Sequence, residues 1–320
     1  MKPIDHAFAK TEAAALRAAS HGWTIKAGGI DLLDRLKERD TEQTRLVSIL
    51  RLEGMRGIEE HAGGLRIGPL ATLRDVADSA LARRLFPALA QSAGEAATPQ
   101  IRAVATMGGN LCQRPRCWYF RSKDFPCTKK GGSTCYAVDG ENAFHALFGG
   151  GPCHIVHPSN VAPPLMAAGA RFVVKGASGE RTIDAEDFFV LPRQSVYAEN
   201  VLSEGEMIAR IDVPEPPSRS AWVQLKQRQS FDWPLAACAA ARTAQGWRVV
   251  LGAVAPVPWI PAKANALLAN AAEITPQLAE QAAEAALDGA VPMSQNAWRL
   301  ALVRAAVRRA LLLADGKDID

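Results

Sequence analysis

The stretch KAGGIDL, residues 26–32, shares one design with ATMGGNL, residues 105–111. In each stretch two adjacent glycines remove the side chains that would block a close approach, so consecutive backbone N–H groups can point at an anion such as a pyrophosphate. Asp31 opens a predicted helix in the first stretch, and the dipole at the start of that helix adds to the attraction. Because Asp31 itself repels phosphate, we expect it to cap the helix or to face a sugar.

A pair of glycines can also do no more than form a turn, and it is the presence of two such segments that favours a nucleotide site. Neither segment is the GxGxxG motif of a nicotinamide site, and the chain has no GxxxxGK[ST] motif of a nucleoside-triphosphate site. The sequence therefore indicates neither of those two kinds of site.

The residues around the glycine segments predict a mixture of helices and strands. An N-terminal βαβ unit is expected. It consists of a strand at 23–26, a helix from Asp31 and a strand at 45–49, and a further helix at 11–20 precedes it. Thr72 and Asp75 resemble a capping box at the start of another helix. Later strands and helices are predicted at 171–175, 207–213, 221–229, 236–243, 247–255, 275–287 and 296–314.

Size, charge and hydropathy indicate a globular protein and argue against nucleic-acid binding and a membrane span. A chain of 320 residues, 48% hydrophobic and 22% charged, is long enough for two or three domains. The net charge of +4 comes from 37 basic and 33 acidic residues scattered along the chain, so nucleic acid is not an expected partner. No apolar run reaches the length of a membrane span. The first 20 residues lack the apolar stretch of a signal peptide, which predicts a cytoplasmic protein, or a periplasmic one exported folded with a partner that carries the signal.

Cysteines are concentrated in one part of the chain, where five of the six fall within 42 positions. Four of them are separated by nine, seven and seventeen residues, namely Cys117, Cys127, Cys135 and Cys153. Four thiolates suit either a 4Fe-4S cluster or zinc. No CxxC pair is present, so the spacing alone leaves a metal site and inert or redox-active thiols both open. Cys112 could replace one of the four ligands, whereas Cys238 in the apolar run PLAACAAA is a core residue.

Basic residues surround these cysteines: Arg114, Arg116, Arg121, Lys123, Lys129 and Lys130. They would offset the negative charge of a thiolate-ligated cluster and raise its reduction potential. The alternative is that they are ordinary solvated surface charges.

Four segments, in chain order, carry a resemblance to a known family: KAGGIDLLDRLK, ATMGGNLCQRPRCWYF, HIVHPSN and LKQRQSFDWPLA. They resemble the FAD-binding subunit of molybdenum-containing hydroxylases, the family of xanthine dehydrogenase, carbon monoxide dehydrogenase and bacterial aldehyde oxidoreductases. The similarity covers nearly the whole chain. The cysteine insertion is similar to that of the periplasmic aldehyde oxidoreductases, whose flavin subunit contains a 4Fe-4S cluster.

The resemblance implies an α+β fold, with a two-part FAD-binding domain of the vanillyl-alcohol oxidase type and a smaller α+β C-terminal domain. The first domain is expected at 1–216, with subdomains at 1–55 and 56–216 and a cysteine-rich insertion at 112–155. The C-terminal domain, of the type found in carbon monoxide dehydrogenase flavoproteins, is expected at 217–320.

The resemblance also implies the ligands of the cofactors. FAD is expected to contact Lys26, Ala27, Gly28, Gly29, Ile30, Asp31, Leu32, Thr106, Gly108, Gly109, Asn110, Gln113, Ser159, Asn160 and Lys226, and a 4Fe-4S cluster the four spaced cysteines. Ile30 and Asn160 depart from the family pattern, which has a polar residue and Asp at these positions. Leu32 is expected beside the reactive face of the flavin, and Trp233 either stacks there or simply packs.

The implied activity is electron transfer within an oxidoreductase complex. Substrate is oxidised at the molybdenum cofactor of a large partner subunit, and electrons pass through two 2Fe-2S clusters of a small partner to FAD and then to an external acceptor. No catalytic Ser/His/Asp set stands out, and the resemblance requires none. A free-standing flavin oxidase or dehydrogenase and a zinc-binding structural protein are the alternatives.

Overall fold

The computed structural model describes residues 3–319, which contain three β-sheets and three hydrophobic cores. The N-terminal sheet is parallel, in the order β1-β3-β2, and consists of β1 (Asp5–Phe8), β2 (Thr24–Lys26) and β3 (Arg45–Ser48). Its helices are α1 (Glu12–Ser20) and α2 (Ile30–Glu38). The predicted βαβ unit is confirmed. Strand β1 was not predicted, because all four of its residues are exposed and show no apolar alternation.

The second sheet is antiparallel, with the order β4-β5-β8-β6-β7. Its strands are β4 (Ile58–His61), β5 (Gly64–Ile67), β6 (Arg171–Gly176), β7 (Gly179–Asp184) and β8 (Met207–Val213). The helices associated with it are α3 (Leu73–Asp78), α4 (Ala80–Leu85), α5 (Pro87–Gly94), α6 (Pro99–Arg102), α9 (Ala162–Ala167) and α10 (Ala185–Phe188). The predicted capping box is present, since Thr72 Oγ1 accepts from the Asp75 amide and the Asp75 carboxylate accepts from the Thr72 amide.

The cysteine-rich segment follows α7 (Met107–Leu111) and has little regular structure beyond α8 (Trp118–Arg121). Aromatic packing orders much of it. The ring of Tyr119 lies 5.0 Å from that of Phe125 and 6.0 Å from that of Tyr136, centroid to centroid. The Tyr119 hydroxyl also accepts a 2.7 Å hydrogen bond from the Glu141 amide. Tyr119 is therefore the centre of a small aromatic cluster that packs this segment.

The third sheet is antiparallel, in the order β11-β10-β9, with β9 (Arg219–Leu225), β10 (Ala236–Thr243) and β11 (Gly246–Gly252). Its helices are α11 (Ala262–Leu268), α12 (Pro276–Ala285) and α13 (Arg299–Ala314). Val303, Val307 and Leu311 form a buried stripe along α13, and Cys238 is buried in β10 as expected. Within residues 3–319, no helix has the length and apolarity that crossing a membrane requires.

Arg299, at the start of α13, is a buried cation that joins three backbone segments. Its guanidinium is 1% exposed and donates to the carbonyl oxygens of Leu235, His145 and Ala253, at 2.5 to 3.0 Å. Burial lowers the pKa of Arg299 to about 10. The side chain thus ties the two ends of the β10–β11 hairpin to the end of the cysteine-rich segment.

We expect Arg299→Met to lower the free energy of unfolding by about 2 kcal/mol or more, because it leaves the buried carbonyl groups of Leu235 and Ala253 without donors, while that of His145 keeps its bond from Asn296. Chemical denaturation measures the change. Arg309 lies on the same helix and is exposed, so Arg309→Met should stay within about 0.5 kcal/mol. Equal effects of the two substitutions would contradict the role given to Arg299.

Candidate functional site

A cavity of about 590 Å³ lies where the two glycine segments meet the β9–β10 connection, and its size is that of a small-molecule site. The β9–β10 connection contributes Phe231, Asp232 and Trp233. Nearly all the predicted cofactor residues line it: Lys26, Ala27, Gly28, Gly29, Ile30, Asp31, Leu32, Thr106, Gly108, Gly109, Asn110, Gln113 and Asn160. Ser159 and Lys226 are the two predicted residues that do not line it.

The first glycine segment turns from β2 into α2 inside this cavity. Gly29 is the N-cap of α2 and has a φ of 82°, a left-handed conformation that glycine adopts without strain. Gly28 lies against the second segment, and a Cβ there would overlap the carbonyl oxygen of Val104. The two segments can therefore approach each other only because position 28 has no side chain.

Backbone donors of the first segment are free. Within residues 3–319, the amides of Ala27, Gly28, Gly29, Ile30, Asp31 and Leu32 donate to no protein group, and the first bonded amide is that of Leu33, to the Gly29 carbonyl at 2.9 Å. Donors at the start of a helix attract anions through their partial charge and the helix dipole. This part of the cavity is therefore suited to a phosphate group, as the sequence predicts.

The second glycine segment differs from the prediction, because most of its amides are already bonded within the protein. Gly108 donates to the Pro69 carbonyl at 2.9 Å, Gly109 to Thr106 Oγ1 at 3.2 Å and Asn110 to the Thr106 carbonyl at 2.8 Å. The segment therefore cannot supply a second row of free amides. Its glycines instead permit close packing, since a Cβ on Gly108 would meet Pro69 at 3.0 Å.

Asp31 does not cap α2, which corrects one expectation from sequence, while its contact with a sugar stays a prediction. The N-cap is Gly29, and both carboxylate oxygens of Asp31 are bonded to the cysteine-rich segment. Oδ2 accepts from the Arg114 amide at 2.9 Å, and Oδ1 from Arg121 Nη2 at 2.6 Å. Sequence reasoning missed these contacts because the partners lie 83 and 90 residues away.

Most of the basic residues near the cysteines are neither solvated nor directed at the thiols. Arg116 and Arg121 pair with Asp31, while Arg114 and Lys129 both pair with the buried Glu199 at 2.5 Å. The charge of Lys129 also favours the thiolate form of Cys153. The basic residues mainly attach the segment to the rest of the protein.

Ser159 is bonded to the second glycine segment, and Asn160 is bonded to β9. Ser159 Oγ donates to Asn110 Oδ1 at 2.6 Å, which leaves the Asn110 amide group as a possible donor to a ligand. Asn160 Nδ2 donates to Gln224 Oε1 at 3.1 Å, a bond that the carboxylate of an Asp could not form. The departure at position 160 is thus matched by a hydrogen bond inside this protein.

His157, 3% exposed, lies close to Ser159 and is held neutral. Its Nδ1 is 3.4 Å from the Ser159 amide, which donates to it, and burial lowers the pKa of His157 from 6.5 to about 3. Because the folded pKa is below the unfolded one, the stabilisation is complete above pH 6.5 and is lost as the pH falls toward 3.

We expect this histidine to contribute up to about 1.4 kcal/mol per pH unit to the loss of unfolding free energy across that range. Denaturation curves at several pH values measure it. His157→Asn retains an acceptor for the Ser159 amide and should remove that part of the slope, while the exposed His61→Asn should not. A slope that is the same in all three proteins would refute the assignment.

The four predicted ligand cysteines come together around one small cavity. Cys117, Cys127, Cys135 and Cys153 line a space of about 10 Å³, the room of about one water molecule. His145 also lines it, and its Nε2 lies 3.3 Å from Cys117 Sγ. Cys112 lines the large cavity instead. Within residues 3–319, no three His, Cys, Asp or Glu side chains are arranged to hold a single metal ion.

Cys135 and Cys153 lie close enough to shift each other's pKa in opposite directions. A hydrogen bond from Cys153 lowers the pKa of Cys135 to about 5, and the same bond, followed by burial, raises the pKa of Cys153. Burial raises the pKa of Cys117 to about 11. The neutral thiol is favoured at Cys117 and Cys153, so a cationic ligand would be needed to stabilise their thiolates.

Free amides at the start of a helix, in a cavity of dinucleotide size within an α+β fold, define a dinucleotide-binding protein. Residues 6–216 match the family described as the FAD-binding domain in molybdopterin dehydrogenase, and the chain belongs to this family. The cofactor FAD, the oxidoreductase class and the α+β fold expected from the sequence are thereby confirmed.

Individual relatives agree with the family. The chain is 32% identical to the FAD-binding subunit of aldehyde oxidoreductase from Escherichia coli over 312 residues, 95% of this chain and 96% of the relative. It is 26% identical to the carbon monoxide dehydrogenase medium chain of Hydrogenophaga pseudoflava over 302 residues, 90% and 87% of the two chains. A solved carbon monoxide dehydrogenase structure from the same organism superposes with a TM-score of 0.76 at 24% identity, covering 98% of both chains, and shows the same fold.

Proposed function

We propose that this chain is the electron-transfer subunit of a molybdenum hydroxylase complex, in which FAD occupies the 590 Å³ cavity with its diphosphate at the amides of residues 27–32. The observation that carries the proposal is that row of unbonded donors at the start of α2. An amide that is shielded from water without an acceptor raises the free energy of the protein. A bound anion would supply acceptors for these amides.

The proposed residue roles follow from their positions around the cavity. Lys26 adds a cation whose pKa is lowered by burial, and Asn110 offers its amide group while Ser159 holds it in place. Thr106, Gly109 and Gln113 fix the shape of the second segment through hydrogen bonds to its backbone and to Arg116. Lys226 follows β9 outside the lining, and contact with FAD there stays a prediction.

FAD, when bound, supplies the capacity to accept electrons from one centre and to release them to another. The protein's own part is to hold the dinucleotide and to exclude water. Leu32 lines the cavity as the resemblance implies, and Trp233 covers another part of the wall with Arg116 5.2 Å from its ring. We infer that these apolar groups limit access of small oxidants to the reactive ring.

The partners that we propose are a large subunit with the molybdenum cofactor and a small subunit with 2Fe-2S clusters, with an external acceptor beyond FAD. The names of the relatives support this, since they are called a medium chain and an FAD-binding subunit. Purification of the native complex from its host tests it. Three different chains that co-elute with molybdenum would support the proposal, whereas an active FAD protein of this chain alone would favour a free-standing flavoenzyme.

We further propose that Cys117, Cys127, Cys135 and Cys153 hold a 4Fe-4S cluster. The support is that these four thiols, and not Cys112, line one cavity. The space of about 10 Å³ requires the thiols to move outward around a cluster. The cysteine-rich segment has little regular structure to oppose that movement. Anaerobic purification with assay of FAD, iron and sulfide tests the cluster, and zinc without sulfide would identify a structural zinc site instead.

A further inference from the structure

Asp31 belongs to two parts of the molecule at once. By sequence it is the second residue of α2, in the turn whose free amides face the large cavity. Its carboxylate, however, is bonded to residues 114–121, the segment that carries Cys117. The proposed binding of FAD uses the backbone of this residue and not its carboxylate. The contacts of the carboxylate therefore indicate a separate role.

Three donors converge on Asp31 from the cysteine-rich segment. The Arg114 amide lies 2.9 Å from Oδ2, and Oδ1 is 2.6 Å from Arg121 Nη2 and 2.8 Å from Arg116 Nη1. The Asp31 side chain is 17% exposed and that of Arg121 13% exposed. Charge-assisted hydrogen bonds that are largely shielded from water are considerably stronger than exposed surface pairs.

The same segment is joined to the thiol cavity by a backbone hydrogen bond, by adjacency in the chain and by ion pairs. The Arg121 amide donates to the Cys117 carbonyl at 2.9 Å, and Arg116 is the neighbour of Cys117 in the chain. On the other side of the cavity, Lys129 pairs with Glu199, which also pairs with Arg114. Any ligand that fixes the cysteines therefore fixes the three donors to Asp31.

We propose that Asp31 is a positioning residue that couples the two sites, so that filling the thiol site strengthens FAD binding by holding the first turn of α2 in place. The inference rests on the proposed function, in which FAD and a cluster occupy the two cavities. Coupling between two ligands is reciprocal, so FAD must also strengthen retention of the cluster. Its expected size is about tenfold in the dissociation constant of FAD.

The test is a double-mutant cycle on the purified full-length chain, with the dissociation constant of FAD measured by flavin fluorescence. Cys135→Ser, which removes the cluster, should weaken FAD binding about tenfold in the wild-type background. In the Asp31→Asn background the same cysteine substitution should change it less than about twofold. An equal effect of Cys135→Ser in both backgrounds overturns the proposal.

A second readout follows Asp31 directly. The Arg114 amide hydrogen should exchange faster in Asp31→Asn than in the wild type, because its acceptor is weakened, and unchanged exchange would count against the coupling. Glu38→Gln is the control: this residue lies on the same helix, is exposed and does not line the large cavity. It should alter FAD affinity less than about twofold.

The outcomes separate this inference from the function on which it rests. A wild-type chain that binds FAD and iron but shows no coupling overturns the role of Asp31 alone. A folded wild-type chain that binds no FAD overturns both.

Discussion

Replacing Gly28 by Ala is expected to weaken FAD binding by roughly a hundredfold or more, about 2.7 kcal/mol. A Cβ at this position overlaps the Val104 carbonyl oxygen, which is backbone and cannot rotate away. The two glycine segments must then separate, and the free amides of the first move relative to the rest of the cavity. Fluorescence titration of the flavin-free variant with FAD measures the loss.

Gly57→Ala is the control for this substitution. Gly57 is exposed, and a Cβ there meets no atom within 4 Å, so FAD affinity should be unchanged. The melting temperature of each variant shows whether the fold survives. Wild-type affinity in a folded Gly28→Ala protein would show that contact between the segments is not needed for binding.

Replacing Cys117, Cys127, Cys135 or Cys153 by Ser is expected to remove essentially all iron and sulfide from anaerobically purified protein. Each substitution leaves three thiolates where a 4Fe-4S cluster requires four. FAD should still bind when supplied in excess, because its cavity is built from other residues. Chemical analysis of iron and sulfide, together with the visible spectrum, records the result.

Cys112→Ser is the matched control for the cysteine variants. Cys112 lines the FAD cavity and not the thiol cavity, so iron content should stay at the wild-type level. Loss of iron from this variant, with iron retained in any one of the other four, would exchange the assigned ligands. Iron-free wild-type protein that contains zinc would replace the cluster with a structural metal.

Local sequence was sufficient to predict the free amides of the first glycine segment, but it did not reveal that the amides of the second are bonded. In KAGGIDL, a strand, a turn and a helix start follow each other directly, so the free amides can be inferred from neighbours in the chain. In ATMGGNL the same residue types donate to Pro69 and to Thr106, and Met107 donates to Ala71. Two of these acceptors lie in a distant loop, and no spacing within the segment reveals them.

The ion pairs around the cysteines were misjudged for a related reason. Six basic residues with one acid, Asp124, among them in sequence indicate a solvated surface or a counter-charge for a cluster. In the folded chain, Asp31 and Glu199 come from either side of the insertion and pair with four of the six basic residues, namely Arg114, Arg116, Arg121 and Lys129. The thiol site itself was predicted from spacing and resemblance, and the four cysteines do meet in space.

The most direct test of the FAD site is titration of the folded, flavin-free chain with FAD, combined with hydrogen exchange of the amides of residues 27–32. We predict that one FAD binds per chain and that these amides, free in the protein alone, become protected when it does. A folded chain that binds no FAD, or that binds it while these amides exchange as before, would contradict the site described here.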